Sequence, residues 1–411
     1  MNETSVSASR PWWRLNAACV ALALLAASCG SSIDDTAPAE DSGASATEVP
    51  AESAPAVDGS NDEDVSEANG NGEVDTGDDS EQVSESGDVE VIDISGAIFT
   101  NRSADCADYV GTYVAESLDL QNDILFESTI TITADETECT IISNSVPNHE
   151  FNDDTAVFAG GADGATIAET ESISVVSRSP EFATEPTFIT QTLKNAVFLN
   201  GVRLDILSAG CYLPLSADAG EDGNVGIGCA SDADWLLDPL GTESKFGADL
   251  HNGHTQPGGL YHYHGGPEAL FDDEPGPEGS PVIGFAADGF PVYGSFFLDP
   301  ETGEVREAIS GYELKEGSRG ERTDTNPGGE YTGEYNDDWE FTGNGDLDEC
   351  NGMTVDGQYG YYVTDTFPWV IKCLVGAPDE SFGSAEGGGQ AGPPPGGNGG
   401  EAPAGPPPGD G

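Results

Sequence analysis

Basic residues are scarce in this sequence. Its 411 residues include 12 Lys and Arg against 76 Asp and Glu, so the formal net charge at pH 7 is -64. Nucleic acids and anionic membrane surfaces bind proteins through clustered positive charge. The composition therefore excludes nucleic acid as a direct electrostatic partner, and it excludes an anionic membrane surface for the same reason.

Long apolar segments are missing as well. The apolar run at residues 15–27 is too short to span a bilayer, and it follows Arg10 and Arg14. A short apolar run behind basic residues is typical of a secretory signal.

The end of this run resembles a lipid-attachment site. Small residues at 26–28 precede Cys29, as in the lipobox of bacterial lipoproteins, where the cysteine is lipidated and becomes the first residue of the mature chain. We therefore expect a signal peptide at residues 1–28, a lipid anchor on Cys29 and an extracytoplasmic location in a bacterial cell envelope. The alternative is cleavage at an ordinary small-residue site, which leaves Cys29 as a free thiol.

Two segments lack the apolar and aromatic residues that a core requires. Residues 31–95 contain 20 Asp and Glu, no Lys or Arg and no aromatic residue, and residues 377–411 are rich in Gly and Pro. Neither segment can bury enough apolar surface to offset the entropy of ordering. We therefore predict a disordered acidic linker at 29–95, a disordered tail at 377–411 and one folded domain at 96–376.

Cysteine usage in the predicted domain indicates disulfides. Six cysteines fall there, with no CxxC pair, which argues against a zinc-thiolate site. An even count in an exported chain predicts three bridges, although the sequence alone leaves the pairing open. Pairing of neighbours is the simplest arrangement: Cys106 with Cys139, Cys211 with Cys229, and Cys350 with Cys373.

Short segments with strand character dominate the predicted domain, and turns rich in Gly, Pro, Asn and Asp separate them. The predicted strands are residues 124–132, 140–146, 172–176, 187–193, 196–199 and 282–285. The expected fold is therefore mainly β, with long Gly- and Pro-rich loops and stapling by disulfides.

Histidines are few, but four of the five lie within residues 251–264. In an extended strand, His262 and His264 would project from one face, about 7 Å apart, with Tyr261 and Tyr263 on the other face. One cation could then contact both imidazoles.

Two further histidines can reach the same point. His251 and His254 flank an Asn-Gly turn, and the Pro-Gly-Gly segment 257–259 can fold this turn back across the strand. Neutral imidazole suits copper and zinc, whereas ions that prefer oxygen ligands are disfavoured. We therefore predict a metal site with copper or zinc as cofactor. A hydrogen-bonded histidine cluster without metal is the alternative.

The tetrapeptide at 261–264 resembles the motif that gives the bacterial, exported YHYH-domain family its name. Four more elements of that family have counterparts here in the same order, at residues 143–149, 198–202, 283–294, and 347–352 with 359–373. The resemblance thus spans about 140–376. It implies a role for His149 as a further ligand or a neighbour of the ligands, where the alternative is an exposed turn residue. The family carries no settled biochemical activity, so the resemblance supports the site rather than a reaction.

The chain also contains an internal repeat. Residues 249–264 align with residues 348–362 with a one-residue gap, and the Asn-Gly and Tyr-x-Tyr features recur. At the four histidine positions the second copy has Cys350, Met353, Gly360 and Tyr362. We therefore predict a duplicated loop-and-strand unit, with metal ligands in the first copy and a disulfide in the second.

These features predict an extracytoplasmic, lipid-anchored metal-binding protein; they indicate no particular protein partner. The predicted ligands are His149, His251, His254, His262 and His264. The alternative is a metal-dependent hydrolase with a three-histidine zinc site, in which Asp288 or Asp249 is the general base. Most Asp-Gly turns, such as that at Asp288, use the carboxylate only for local hydrogen bonds.

Overall fold

Alternation of apolar and polar residues produces the long strands near the N-terminal end of this fold, whereas several short strands farther along the chain are buried throughout. We analysed a computed structural model that describes residues 7–8, 90–153, 167–241, 247–256, 258–272 and 274–383. All of these residues belong to one compact unit. Cys29, most of the predicted signal peptide and linker, and the tail beyond residue 383 lie outside the described residues.

The described residues form twenty-five strands and four short 3₁₀ helices, so the mainly β prediction is confirmed. The strands are β1 (Ser7–Ala8), β2 (Val91–Asp93), β3 (Ala97–Ile98), β4 (Gly111–Asp119), β5 (Ile124–Ala134), β6 (Glu138–Ser143), β7 (Ser172–Ser177), β8 (Phe182–Phe188), β9 (Ala196–Phe198), β10 (Arg203–Leu204), β11 (Cys211–Tyr212), β12 (Asn224–Val225), β13 (Gly253–Thr255), β14 (Tyr261–Tyr263), β15 (Val282–Ala286), β16 (Pro291–Tyr293), β17 (Phe296–Leu298), β18 (Val305–Glu307), β19 (Tyr312–Leu314), β20 (Ser318–Gly320), β21 (Gly329–Glu330), β22 (Trp339–Phe341), β23 (Gly352–Val355), β24 (Gln358–Tyr362) and β25 (Cys373–Gly376). The 3₁₀ helices are Cys106–Tyr109, Glu268–Leu270, Asn336–Asp338 and Glu380–Phe382. In the described part of the chain, none of the helices is long or apolar enough to span a bilayer.

A five-stranded sheet in the order β2-β4-β5-β6-β7 forms the N-terminal part of the fold. Its long strands show the expected alternation, which buries Ile130, Ile132 and Ile141 on one face. Ser143, at the end of β6, donates a hydrogen bond from Oγ to the carbonyl of Gly201 at 2.6 Å. This contact joins the five-stranded sheet to the turn between β9 and β10.

The central sheet has eight strands in the order β13-β14-β10-β9-β15-β16-β24-β23. It is symmetric about the β9–β15 pair. On one side, β10 is antiparallel to β9 and parallel to β14, which forms a hairpin with β13. On the other side, β16 is antiparallel to β15 and parallel to β24, which forms a hairpin with β23. The predicted repeat therefore extends to whole half-sheets.

The hairpins next to the centre of this sheet match in detail. Gly201 and Gly289 occupy the same turn position, with φ of +80° and +88°, values that favour glycine. Each donates its amide to the residue three positions earlier, Phe198 and Ala286 respectively. Two copies of the same strand-turn-strand unit thus meet at the centre of the sheet.

Three disulfides cross-link the described residues, and they follow the predicted pairing of neighbouring cysteines. They join Cys106 to Cys139, Cys211 to Cys229, and Cys350 to Cys373. The first lies at the five-stranded sheet, and the third connects the loop before β23 to β25. All six thiols are therefore oxidised, and none is left as a metal ligand.

Two details of the sequence prediction were wrong. The folded region exceeds 96–376, because β2 pairs with β4 before it and Leu193 bridges to Gly383 after it. The strand predicted at 187–193 lies earlier, at Phe182–Phe188. Its bounds are set by pairing with β25, a contact from a distant part of the chain that the local pattern does not contain.

Candidate metal centre

Three histidines lie on one face at the edge of the central sheet. His254 on β13 is paired directly with His262 on β14, so their side chains project from the same face. His264 follows His262 by two residues and shares that face. The predicted convergence of these three imidazoles is confirmed, because they form a group able to hold a metal ion.

The spacing of this triad (His254, His262 and His264) fits a transition metal. Nε2 of His264 lies 3.2 Å from Nε2 of His262 and 3.3 Å from Nε2 of His254. Tetrahedral zinc with bonds of 2.0–2.1 Å separates its nitrogen ligands by about 3.3–3.4 Å. The three side chains are also nearly inaccessible to solvent, with exposed fractions of 3–5%.

The orientation of the rings determines which nitrogens are available. Nδ1 of His254 donates to the carbonyl of Gly247 at 3.0 Å, which leaves a lone pair on Nε2. Nδ1 of His262 and Nδ1 of His264 have no hydrogen-bond partner among the described residues, whereas Nε2 of each ring lies against a neighbouring imidazole of the triad. Each ring thus directs Nε2 inward. Ring nitrogens this close are stable when one ring donates an N–H to the lone pair of the next, or when a cation lies between the lone pairs.

Burial keeps the rings of His262 and His264 neutral. Desolvation is the main cause that holds the pKa values of His262 and His264 well below 6.5, and the neighbouring imidazoles add to it. Neutral imidazole is the form that binds metal, so the rings need not lose a proton before coordination.

A carboxylate under the β13–β14 hairpin fixes the position of His254. Oδ1 of Asp249 accepts the amides of His251 and Gly253 at 3.0 and 3.1 Å. Oδ2 accepts the hydroxyl of Tyr261 at 2.7 Å and one further backbone amide, that of Asn152, at 3.1 Å. Gly253 must be glycine here, because a Cβ atom would lie 2.5 Å from the Tyr261 hydroxyl.

The two other predicted ligands lie outside the triad. Nε2 of His149 lies 2.5 Å from the hydroxyl of Tyr263, and its Nδ1 donates to the carbonyl of Glu150 at 2.7 Å. His251 packs on the His149 ring, with 4.2 Å between ring centroids. Tyr263 alternates with the two histidines of its strand, so this pair belongs to the opposite face. His251 is thus close to the triad in sequence but is not part of it.

The proposed general bases are also engaged elsewhere. The four hydrogen bonds to Asp249 occupy about all of the lone-pair sites of a carboxylate. Asp288 belongs to the other half of the sheet, where it accepts the hydroxyl of Tyr361 at 2.7 Å and the amide of Gly376 at 2.9 Å. Neither carboxylate is part of the group that the three histidines form.

The second half of the sheet has the same backbone without the ligands. Met353 pairs with Gly360 in the register in which His254 pairs with His262. The ring of Tyr293 fills the space above Gly360, since a Cβ atom there would lie 2.5 Å from it. Among the described residues, the other group with metal-ligand spacing contains Cys106 and Cys139, which are joined in a disulfide.

Sequence reasoning missed two charged neighbours of the triad, Arg203 and Asp205. They flank Leu204, which pairs with Tyr263 in the parallel β10–β14 ladder. The Asn-Gly dipeptide at residues 200–201 was the signal that could have located a strand here, but the pairing partner of this strand is 59 residues away along the chain.

Comparison with known proteins agrees with this architecture. Residues 174–376 match the model of a protein family described as YHYH protein. The match contains both halves of the central sheet and begins after the first of the five motifs. No curated protein and no solved structure matches the chain.

Proposed function

From the YHYH domain that this chain carries at residues 174–376, we propose that the protein is a metal-binding protein of the bacterial cell envelope. His254, His262 and His264 bind one transition-metal ion through Nε2, and the ion is copper or zinc. The protein is anchored to the membrane by a lipid on Cys29.

The observation that supports this proposal is the convergence of three buried imidazoles, with Nε2 of His264 at 3.2 and 3.3 Å from Nε2 of the other two rings. A donor set of nitrogen alone favours zinc or copper(II) over oxygen-preferring ions. The thioether that would favour copper(I), that of Met353, lies in the other half of the sheet. The net charge of -64 raises the local concentration of cations around the protein.

A hydrolase is the second candidate, because three protein ligands leave one coordination position open for water. The triad, which could hold the metal, supports this candidate, but neither predicted base does, since Asp249 and Asp288 are hydrogen-bonded elsewhere. We therefore favour binding as the function.

Metal content tests the proposal directly. We expect the full chain, purified without an affinity tag, to contain about one copper or zinc ion per molecule by mass spectrometry of the elements. Dialysis against a chelator should remove it, and titration should restore one ion. A chain that takes up no transition metal at micromolar concentration would contradict the proposal.

The anchor has its own test. Cells that express the protein should incorporate radiolabelled palmitate into the wild-type chain and not into the Cys29→Ser variant, because the thiol is the attachment point. Detergent is expected to be needed for extraction of the wild-type chain only. Label retained by Cys29→Ser would refute the anchor and leave the metal centre unaffected.

A further inference from the structure

We propose that the metal centre binds an oxyanion in its open coordination position and that Arg203 holds this anion. The proposal rests on the metal centre proposed above and names the class of its ligand. Acetate and inorganic phosphate represent the chemistry: negatively charged oxygens that can contact a metal ion and a guanidinium group together.

The strand register places Arg203 next to the triad. Leu204 pairs in parallel with Tyr263, and the amide of Asp205 donates to the Tyr263 carbonyl at 2.9 Å. Adjacent parallel strands lie about 4.8 Å apart and their paired residues share a face. Arg203 is therefore level with His262, and both project from the face that carries the three imidazoles.

The two halves of the sheet provide an internal comparison. Val292 pairs with Tyr361 as Leu204 pairs with Tyr263, so Pro291 occupies the position of Arg203. The position of Asp205 is taken by Tyr293, whose ring fills the second half. The half without histidines thus also lacks the charged pair. Arg203 is therefore present only in the half that carries the predicted metal ligands, and the repeated backbone forms without it.

The charge balance of the site calls for an anion. Nε of Arg203 donates to Oδ2 of Asp205 at 2.6 Å, so these two charges cancel. Three neutral imidazoles leave the charge of a divalent ion uncompensated, and an isolated charge in a buried site is costly.

Accessibility agrees with this role. The side chain of Arg203 is 25% exposed and that of Asp205 is 16% exposed, whereas the histidines beside them are buried. The guanidinium is therefore accessible from solvent, on a strand next to the one that carries His262 and His264. Its planar set of donors matches the geometry of carboxylate and phosphate better than an ammonium group does.

Anion titration of the cobalt-loaded full chain tests the inference, because the visible spectrum of Co²⁺ reports a change in its ligands. We expect acetate and phosphate each to change the spectrum of the wild-type protein. The change should level off as the anion concentration rises. In Arg203→Gln the dissociation constants of both anions should rise at least about tenfold, as expected for the loss of one charge-assisted hydrogen bond. The cobalt content should stay at one ion per chain. Arg178→Gln is the matched control, since Arg178 also pairs with an aspartate, Asp105, but on the five-stranded sheet.

The outcomes separate the two proposals. A wild-type chain that binds no cobalt overturns the metal centre. A cobalt-loaded chain with no spectral response to either anion, or with equal anion affinity in Arg203→Gln, overturns the role of Arg203 and leaves the metal centre intact. If Arg203→Gln does not retain cobalt, Arg203→Lys is titrated instead, because it keeps the charge but loses the planar donors. The anion dissociation constants of this variant should also rise at least about tenfold.

Discussion

Replacing His262 and His264 together by alanine is expected to abolish metal binding. The double variant removes two of three ligands, and a single imidazole cannot hold the ion against solvent. Elemental analysis should show a fall from about one ion per chain to a background below about 0.1. Adding metal at 100 times its dissociation constant should stabilise the wild-type protein by about 2.7 kcal/mol and leave the variant unchanged in a thermal melt.

A matched control for this experiment is His251→Ala. His251 is close to His262 in sequence, but its ring packs on His149 outside the triad, so its removal should leave the metal content near one. Near-UV circular dichroism checks that each variant is folded, and His264→Gln is the conservative substitute if the double variant is not. Retention of metal by the double variant, or its loss in His251→Ala, contradicts the assigned ligand set.

The second large effect is expected from Asp249, which contacts no metal but positions a ligand. Asp249→Ala removes the acceptor for the amides of His251 and Gly253 and for the Tyr261 hydroxyl, and so it loosens the hairpin that carries His254. Residues that orient metal ligands typically contribute 10–100-fold to affinity. Competition with a chelator of known affinity should therefore show metal binding about 10–100-fold weaker.

The repeat supplies an unusually close control in Asp348→Ala. Oδ1 of Asp348 accepts the amides of Cys350 and Gly352 at 2.9 and 3.0 Å, and Oδ2 accepts the Tyr359 hydroxyl at 3.0 Å. Both variants should lose about 1–3 kcal/mol of unfolding free energy, the cost of leaving buried donors unpaired. Only Asp249→Ala should lose metal affinity. Equal effects of the two variants on metal affinity would show that Asp249 acts through general stability.

Several elements could be predicted because their determinants are local. The alternation of Tyr and His in 261–264 places His262 and His264 on one face whatever the surrounding fold, and the structure has them there. The Pro-Gly-Gly segment 257–259 predicts that the chain folds back across the strand, and β13 pairs with β14 as expected. The repeat was visible because the same backbone geometry requires the same residues, such as Asn252 and Asn351, both with positive φ.

Other assignments failed because they depend on contacts between distant segments. His251 is separated from His254 by two residues, yet its ring lies against His149, 102 positions earlier in the chain. Asp288 was a candidate base from its place in an Asp-Gly turn, but its carboxylate accepts the hydroxyl of Tyr361, 73 positions later in the chain. Nothing in the local sequence around either residue encodes these partners.

By itself the sequence determined the class of fold and which face of β14 carries the imidazoles, while export and the lipid anchor stay predictions. These follow from composition and from the two-residue period of a strand, which act over a few residues. The tertiary structure decided which histidines share a centre and that Arg203 lies beside it. Those facts depend on the order and register of strands that are far apart in the chain, and burial and pairing of the whole sheet set that order.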